Sequence, residues 1–191
     1  MDEQLRAASN RAWQRLRERY RAYELLLPGA PSFICQPDIC DAHCCRKFSV
    51  SVGVEDRARL GRETGMAAVE FLECEDGEPI ALPLLKPFLL RRAGNGCAML
   101  GEQLACNAYA GRPDACRQYP YQVLFADPGG LPVRPAIDAA RALVAGPLPG
   151  SITPLLVRHV ECPGFTGPPL SSAAWRQTMR QTFELQGGAV L

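Results

Sequence analysis

The residue order predicts a small, irregular α+β domain. Three observations carry that expectation: apolar residues at helical spacing near both ends, a two-residue apolar alternation in the middle, and 17 glycines plus 17 prolines that keep the elements short. A chain of 191 residues suits one hydrophobic core with appendages. The expected divisions are an N-terminal amphipathic helix in residues 1–30, a cysteine-bearing domain in residues 31–167, and a C-terminal helix in residues 168–191 packed on the same domain.

Taking the elements in order, Leu5, Trp13, Leu16, Tyr20, Tyr23 and Leu27 recur at helical spacing, with arginines on the other faces. This predicts a helix over residues 2–26, stopped by Pro28-Gly29-Ala30-Pro31. Phe48, Val50, Val52 and Val54 alternate with Ser49, Ser51 and Gly53, as in a half-buried strand. Glu55-Asp56 opens a short helix through Leu60. Residues 66–72 and 80–85 are apolar runs expected as strands on either side of the acidic turn Glu75-Asp76-Gly77-Glu78. Residues 119–125 form a further strand candidate, returned by Asp127-Pro128-Gly129-Gly130 through residues 131–134. Residues 137–144 have helical composition. Ser171 or Ser172 then caps a last helix whose Trp175, Met179 and Phe183 share one face, the signature of core packing.

Composition narrows the function classes. Hydrophobic residues make up 47% and charged residues 21%, which fits a globular domain rather than a disordered tail. A formal charge of +1 provides no electrostatic footprint for nucleic acid, so no nucleic-acid partner is expected. The most apolar stretch, residues 81–90, is interrupted by Pro83, Lys86 and Pro87 and falls short of a membrane span. The start, Met1-Asp2-Glu3-Gln4, lacks the basic and apolar regions of an export signal, so a cytoplasmic location is expected. A P-loop, a dinucleotide fingerprint, H-E-x-x-H and G-x-S-x-G are all absent, and two histidines leave little material for a Ser-His-Asp mechanism.

Nine cysteines are the distinctive feature. In a reducing compartment a thiol cluster points to metal ligation or catalysis rather than to cross-links. Cys35, Cys40, Cys44 and Cys45 crowd into one short segment, spaced C-x4-C-x3-C-C. Asp38, Asp41, Arg46 and Lys47 make that segment polar, so the thiols are not there as small core residues. A helical turn begun at Pro37 would set Cys40 and Cys44 on one face and turn Cys45 aside toward another ion or a cluster. A second set follows: Cys97, Cys106, Cys116 and Cys162. Eight thiols suit two closed tetrahedral sites, or one iron-sulfur cluster plus other ligands. Thiolate donors select zinc or Fe–S clusters without distinguishing them. Pro113-Asp114 reads as the first turn of a helix that would favour a thiolate at Cys116. His43 and His159 stand at spacings where imidazole can ligate, but eight cysteines make neither necessary.

Residues 106–120, Cys106-Asn107-Ala108-Tyr109-Ala110-Gly111-Arg112-Pro113-Asp114-Ala115-Cys116-Arg117-Gln118-Tyr119-Pro120, resemble the C-x2-Y-x2-R-P-x2-C-R-x-[FY]-P signature of the YkgJ-like cysteine-cluster family, a zinc- or iron-chelating domain. The upstream cluster ending in Cys44-Cys45, the preceding Cys97, and the late Cys162-Pro163-Gly164 match that family's other motifs in order. The resemblance covers residues 33–167. It implies that Cys35, Cys40, Cys44, Cys45, Cys97, Cys106, Cys116 and Cys162 are the ligands of zinc or iron, the latter including a 4Fe-4S cluster, and that the metal stabilises the domain. Cys74 matches no motif, and its acidic neighbours Glu73 and Glu75 argue against a thiolate there. The family's commoner cluster is C-x2-C-x2-CC. The wider spacing here is similar to the form in flagellin lysine N-methylase, a longer relative. Arg112 and Arg117 are expected as donors to the thiolates or as a carboxylate-binding pair. Tyr109 and Tyr119 are expected to pack around the site or donate to sulfur. Three functions follow: a cysteine-ligated metal-binding protein, an iron- or Fe–S-dependent protein modifier akin to that methylase, and an adaptor with purely structural zinc.

Overall fold

The structure, a computed structural model, describes residues 3–146 and 152–187. Residues 1–2 and 188–191, the outer ends of the two expected terminal segments, lie outside it. The described residues form the mixed α+β architecture that the sequence predicts, with helices at both ends, short antiparallel strands and small sheets. In chain order the elements are α1 (Glu3–Leu16), β1 (Tyr23–Leu25), α2 (His43–Lys47), β2 (Ser51–Val52), α3 (Val54–Thr64) and α4 (Ala68–Phe71). Four two-residue strands follow, β3 (Cys74–Glu75), β4 (Glu78–Pro79), β5 (Phe88–Leu89) and β6 (Arg92–Ala93), then β7 (Gly96–Cys97). The chain continues through α5 (Asp114–Gln118), β8 (Tyr121–Ala126), α6 (Ile137–Ala145), β9 (Thr153–His159) and α7 (Ser172–Leu185). It divides into two compact units, one of residues 1–35 with 118–191 and one of residues 36–117.

The first unit is built on a three-stranded antiparallel sheet in the order β1-β9-β8. Both faces of its two long strands are buried, so they read as continuous apolar runs rather than alternations. Val123, Phe125 and Leu156 pack with Leu143, Trp175, Met179 and Phe183 of α6 and α7. Leu124, Leu155 and Val157 pack with Ala12, Trp13 and Leu16 of α1. The expected stripe of α7 is therefore core, and Ser171 caps the helix by accepting from the Ala174 N–H at 3.1 Å. Trp175 Nε1 donates to the Leu26 carbonyl at 2.7 Å.

The first helix of this unit is shorter than its apolar period suggests. The N-terminal helix ends at Leu16, not near residue 26, because Tyr23–Leu25 pairs with β9, setting Glu24 opposite Arg158 with an ion pair of 2.5 Å. Apolar residues at 20, 23 and 27 satisfy a helical period and a strand edge alike, and the sheet partner decides. Strand β9, the centre of the sheet, carries no alternation by which it could be recognised in isolation.

The second unit has a smaller core of Val50, Val52, Leu60, Phe71, Leu72, Leu90, Cys97, Met99 and Ala108. Cys45, Cys106 and Cys116 pack at its edge. The alternating segment contributes only β2, paired with β5, while α3 covers the expected short helix and extends it to Thr64. The run at 66–72 is not a strand: residues 68–71 turn as a helix, opened by Glu70 accepting from the Ala67 N–H at 2.6 Å. The run at 80–85 is not a strand either. Pro83 and Pro87 withhold backbone donors, Leu82 N–H closes onto the Pro87 carbonyl at 2.7 Å, and Leu84 and Leu85 face solvent. The acidic turn does stand where expected, as the tip of the β3–β4 hairpin, with Asp76 and Gly77 both at positive φ.

Candidate metal centre

Helix α2 begins at His43, after Ala42 in the left-handed region at φ 59° and ψ 38°. The helical turn expected from Pro37 therefore does not reach Cys44, and Cys40 stands outside the helix in the segment before it. What α2 does present is Cys44 and Cys45, with sulfurs 3.9 Å apart. Bonds of about 2.3 Å to a tetrahedral zinc would hold two sulfurs about 3.8 Å apart, so this spacing fits the edge of such a site.

Hairpin β6–β7 brings Cys97 to the same place, where it exchanges a hydrogen bond with Cys45. Gly94, at φ 55°, makes the turn of that hairpin. Arg92 locks the hairpin to α2 by donating to the Arg46 carbonyl at 2.7 Å and the Phe48 carbonyl at 3.2 Å. Cys106 lies in a bridge with Leu100, and the Asn107 N–H closes onto the Met99 carbonyl at 2.9 Å. Cys116 comes from α5 and packs, with Cys45 and Cys106, at the edge of the core that contains Cys97. Five thiols from α2, β7, the 101–106 loop and α5 thus converge in the second unit.

Their electrostatics divide the set. Hydrogen bonding among Cys44, Cys45 and Cys97 holds Cys44 down at about 7 and Cys97 at about 6, with backbone N–H groups assisting both and Arg92 assisting Cys97. Cys45 keeps its proton, since its hydrogen bonds to those two sulfurs push its pKa up. Burial raises Cys106, and it pushes Cys116 up to about 12, an effect that charge on the neighbouring thiols reinforces. Among the described residues no three His, Cys, Asp or Glu side chains stand in a ready ligand arrangement. The donor set itself is what thiolate-selecting metals take.

Cys35 and Cys162 lie in the first unit, on segments joined by the Ile34 N–H to Gly164 carbonyl bond at 2.7 Å. Gly164 permits that approach, because a Cβ there would come within 2.6 Å of the Ile34 carbonyl oxygen and the Phe33 ring. Tyr119 packs against His159 with ring centroids 5.6 Å apart, and His159 also meets Tyr23 edge-on. His43 is buried against Phe48. Cys74 donates to the Leu72 carbonyl at 3.4 Å, just before its hairpin.

The arginines near the signature are arranged more specifically than spacing suggests. Arg112 lies 3.7 Å above the Tyr109 ring and donates to the Tyr109 carbonyl at 2.9 Å, while its charge favours thiolates at Cys106 and Cys116. Arg117 reaches Asp114 at 3.4 Å. Arg92, Asp56 and Arg59 were not legible as site residues, because nothing in their local sequence points to partners that are distant along the chain.

A family model described as "CxxCxxCC: Putative zinc- or iron-chelating domain" matches residues 34–142, more than half of the chain. The chain belongs to this family. All five converging thiols of this CxxCxxCC domain fall inside the matched range, as do Cys35 and Cys40. Zinc or iron is accordingly the metal class of the domain. No curated protein and no solved structure matches the chain. No helix among the described residues is long and apolar enough to cross a membrane.

Proposed function

We propose that the protein is a cytoplasmic metal-binding protein whose zinc or iron is held by cysteine thiolates, with Cys44, Cys45, Cys97, Cys106 and Cys116 as the centre of the ligand set. Cys40 lies in the same unit as these five, and Cys35 and Cys162, in the first unit, are proposed as ligands in their own right. The observation that carries this reading is the convergence of five thiols, far apart in sequence, at the edge of one small core. Bound metal would neutralise and cross-link these sulfurs, and its binding would be coupled to the folding of the second unit. Arg92 and Arg112 supply positive charge beside them.

Anaerobic purification, followed by metal analysis and a visible absorption spectrum, tests the reading. Zinc or iron retained on the full chain and lost from cysteine variants supports it; a chain that retains neither overturns it. Colourless zinc protein assigns a structural or chelating site. Brown protein with acid-labile sulfide assigns an Fe–S cluster, of which a 4Fe-4S cluster is one form, and the redox or protein-modifying chemistry such a cluster supplies.

A further inference from the structure

We infer that Asp56 and Arg59 of α3 are positioning residues that clasp the Cys116 segment and hold its thiol against the others. The inference refines the thiolate-site reading and rests on a separate set of observations. The Asp56 carboxylate is 2% exposed and sits at the start of α3, where Oδ2 accepts from the Gly53 N–H at 2.9 Å. Its other oxygen accepts from the Asp114 N–H at 3.0 Å and from Arg59 Nη2 at 2.5 Å. Arg59 then grips the same segment twice more, through Nε and Nη2 to the Arg112 carbonyl at 3.2 and 2.9 Å and through Nη2 to the Asp114 carboxylate at 2.9 Å.

A buried carboxylate is costly unless its acceptor positions are filled, and a planar guanidinium fills them in a fixed geometry. The pair therefore specifies where residues 112–114 lie on α3. Cys116 is two residues further, on the first turns of α5. Gly111 completes the docking, since a Cβ there would come within 2.6 Å of Glu63 Cβ and 3.3 Å of the Arg59 carbonyl. None of these groups bears sulfur. Their common effect is to fix one thiol relative to those of α2 and β7, the precision a ligand set requires.

The test uses the full chain carrying Arg59→Ala, Arg59→Lys, or Arg62→Ala on the exposed side of the same helix. In metal-free protein with wild-type helix content, Arg59→Ala is expected to speed alkylation of Cys116 by iodoacetamide about tenfold while Cys45 is unchanged. Cobalt(II) affinity is expected to fall about 10- to 100-fold with a weakened thiolate charge-transfer band, and Arg59→Lys to restore part of both. Arg62→Ala should match wild type. Unchanged Cys116 alkylation in Arg59→Ala, or an equal rise at Cys45, Cys97 and Cys116, overturns the clasp. If the wild-type chain takes up no cobalt, the metal reading fails, and the alkylation result still decides the clasp.

Discussion

Cys44 Sγ stands 3.9 Å from Cys45 Sγ, and the hydrogen bond they share drives the two neighbours in opposite directions, Cys44 down and Cys45 up. In the proposed site, metal binding would remove the protons that Cys45, Cys106 and Cys116 retain at neutral pH. Binding that releases protons strengthens as pH rises. Zinc affinity, measured by competition with a chromophoric chelator, should therefore increase from about pH 6.5 to about pH 8. It should fall more steeply below about 6 to 7, where Cys97 and Cys44 also gain protons. A pH-independent affinity would contradict this.

Cys44→Ser removes a thiol from the centre of the cluster, whereas Cys74→Ser removes one that bonds to backbone carbonyls close to it in the chain. The first should lower metal content and soluble yield, and the second should leave both at the wild-type level. Metal analysis of the two purified variants checks this, and equal loss from both would mean the ligand set is misassigned.

Gly111→Ala should push the signature loop off α3, because the added methyl would meet Glu63 Cβ and the Arg59 carbonyl, neither of which is a flexible side-chain end. A cost of about 1–3 kcal/mol is expected, with weakened metal binding. Chemical denaturation of the metal-loaded protein measures the first, and chelator competition the second.

In the first unit, Trp175→Phe keeps an aromatic ring of smaller size and leaves the buried Leu26 carbonyl without its indole donor. The expected cost is about 1–3 kcal/mol of stability. Metal content should not change. A denaturation midpoint equal to wild type would show that the carbonyl finds another donor.

Residue order alone made the chemistry legible. Four thiols within one short polar segment and three more around the 106–120 signature point to soft-metal chemistry, the class that the matched zinc- or iron-chelating domain carries. The α7 stripe, the β8 strand and the acidic turn were equally readable, because period and turn residues are local properties.

The elements that resisted reading are those whose state depends on a distant partner. Residues 23–25 became a strand because β9 lies beside them, and residues 68–71 a helix because Glu70 closes the turn before Phe71 enters the core. Within the cluster, only the tertiary structure selected which thiols meet. It set Cys40 off the helix that carries Cys44, hydrogen-bonded Cys45 to Cys97, and placed Arg92, Asp56 and Arg59 as the groups that hold the segments together. Donor type is a property of each residue, while a ligand set is a geometry among residues that only the packed core and its buried hydrogen bonds can impose.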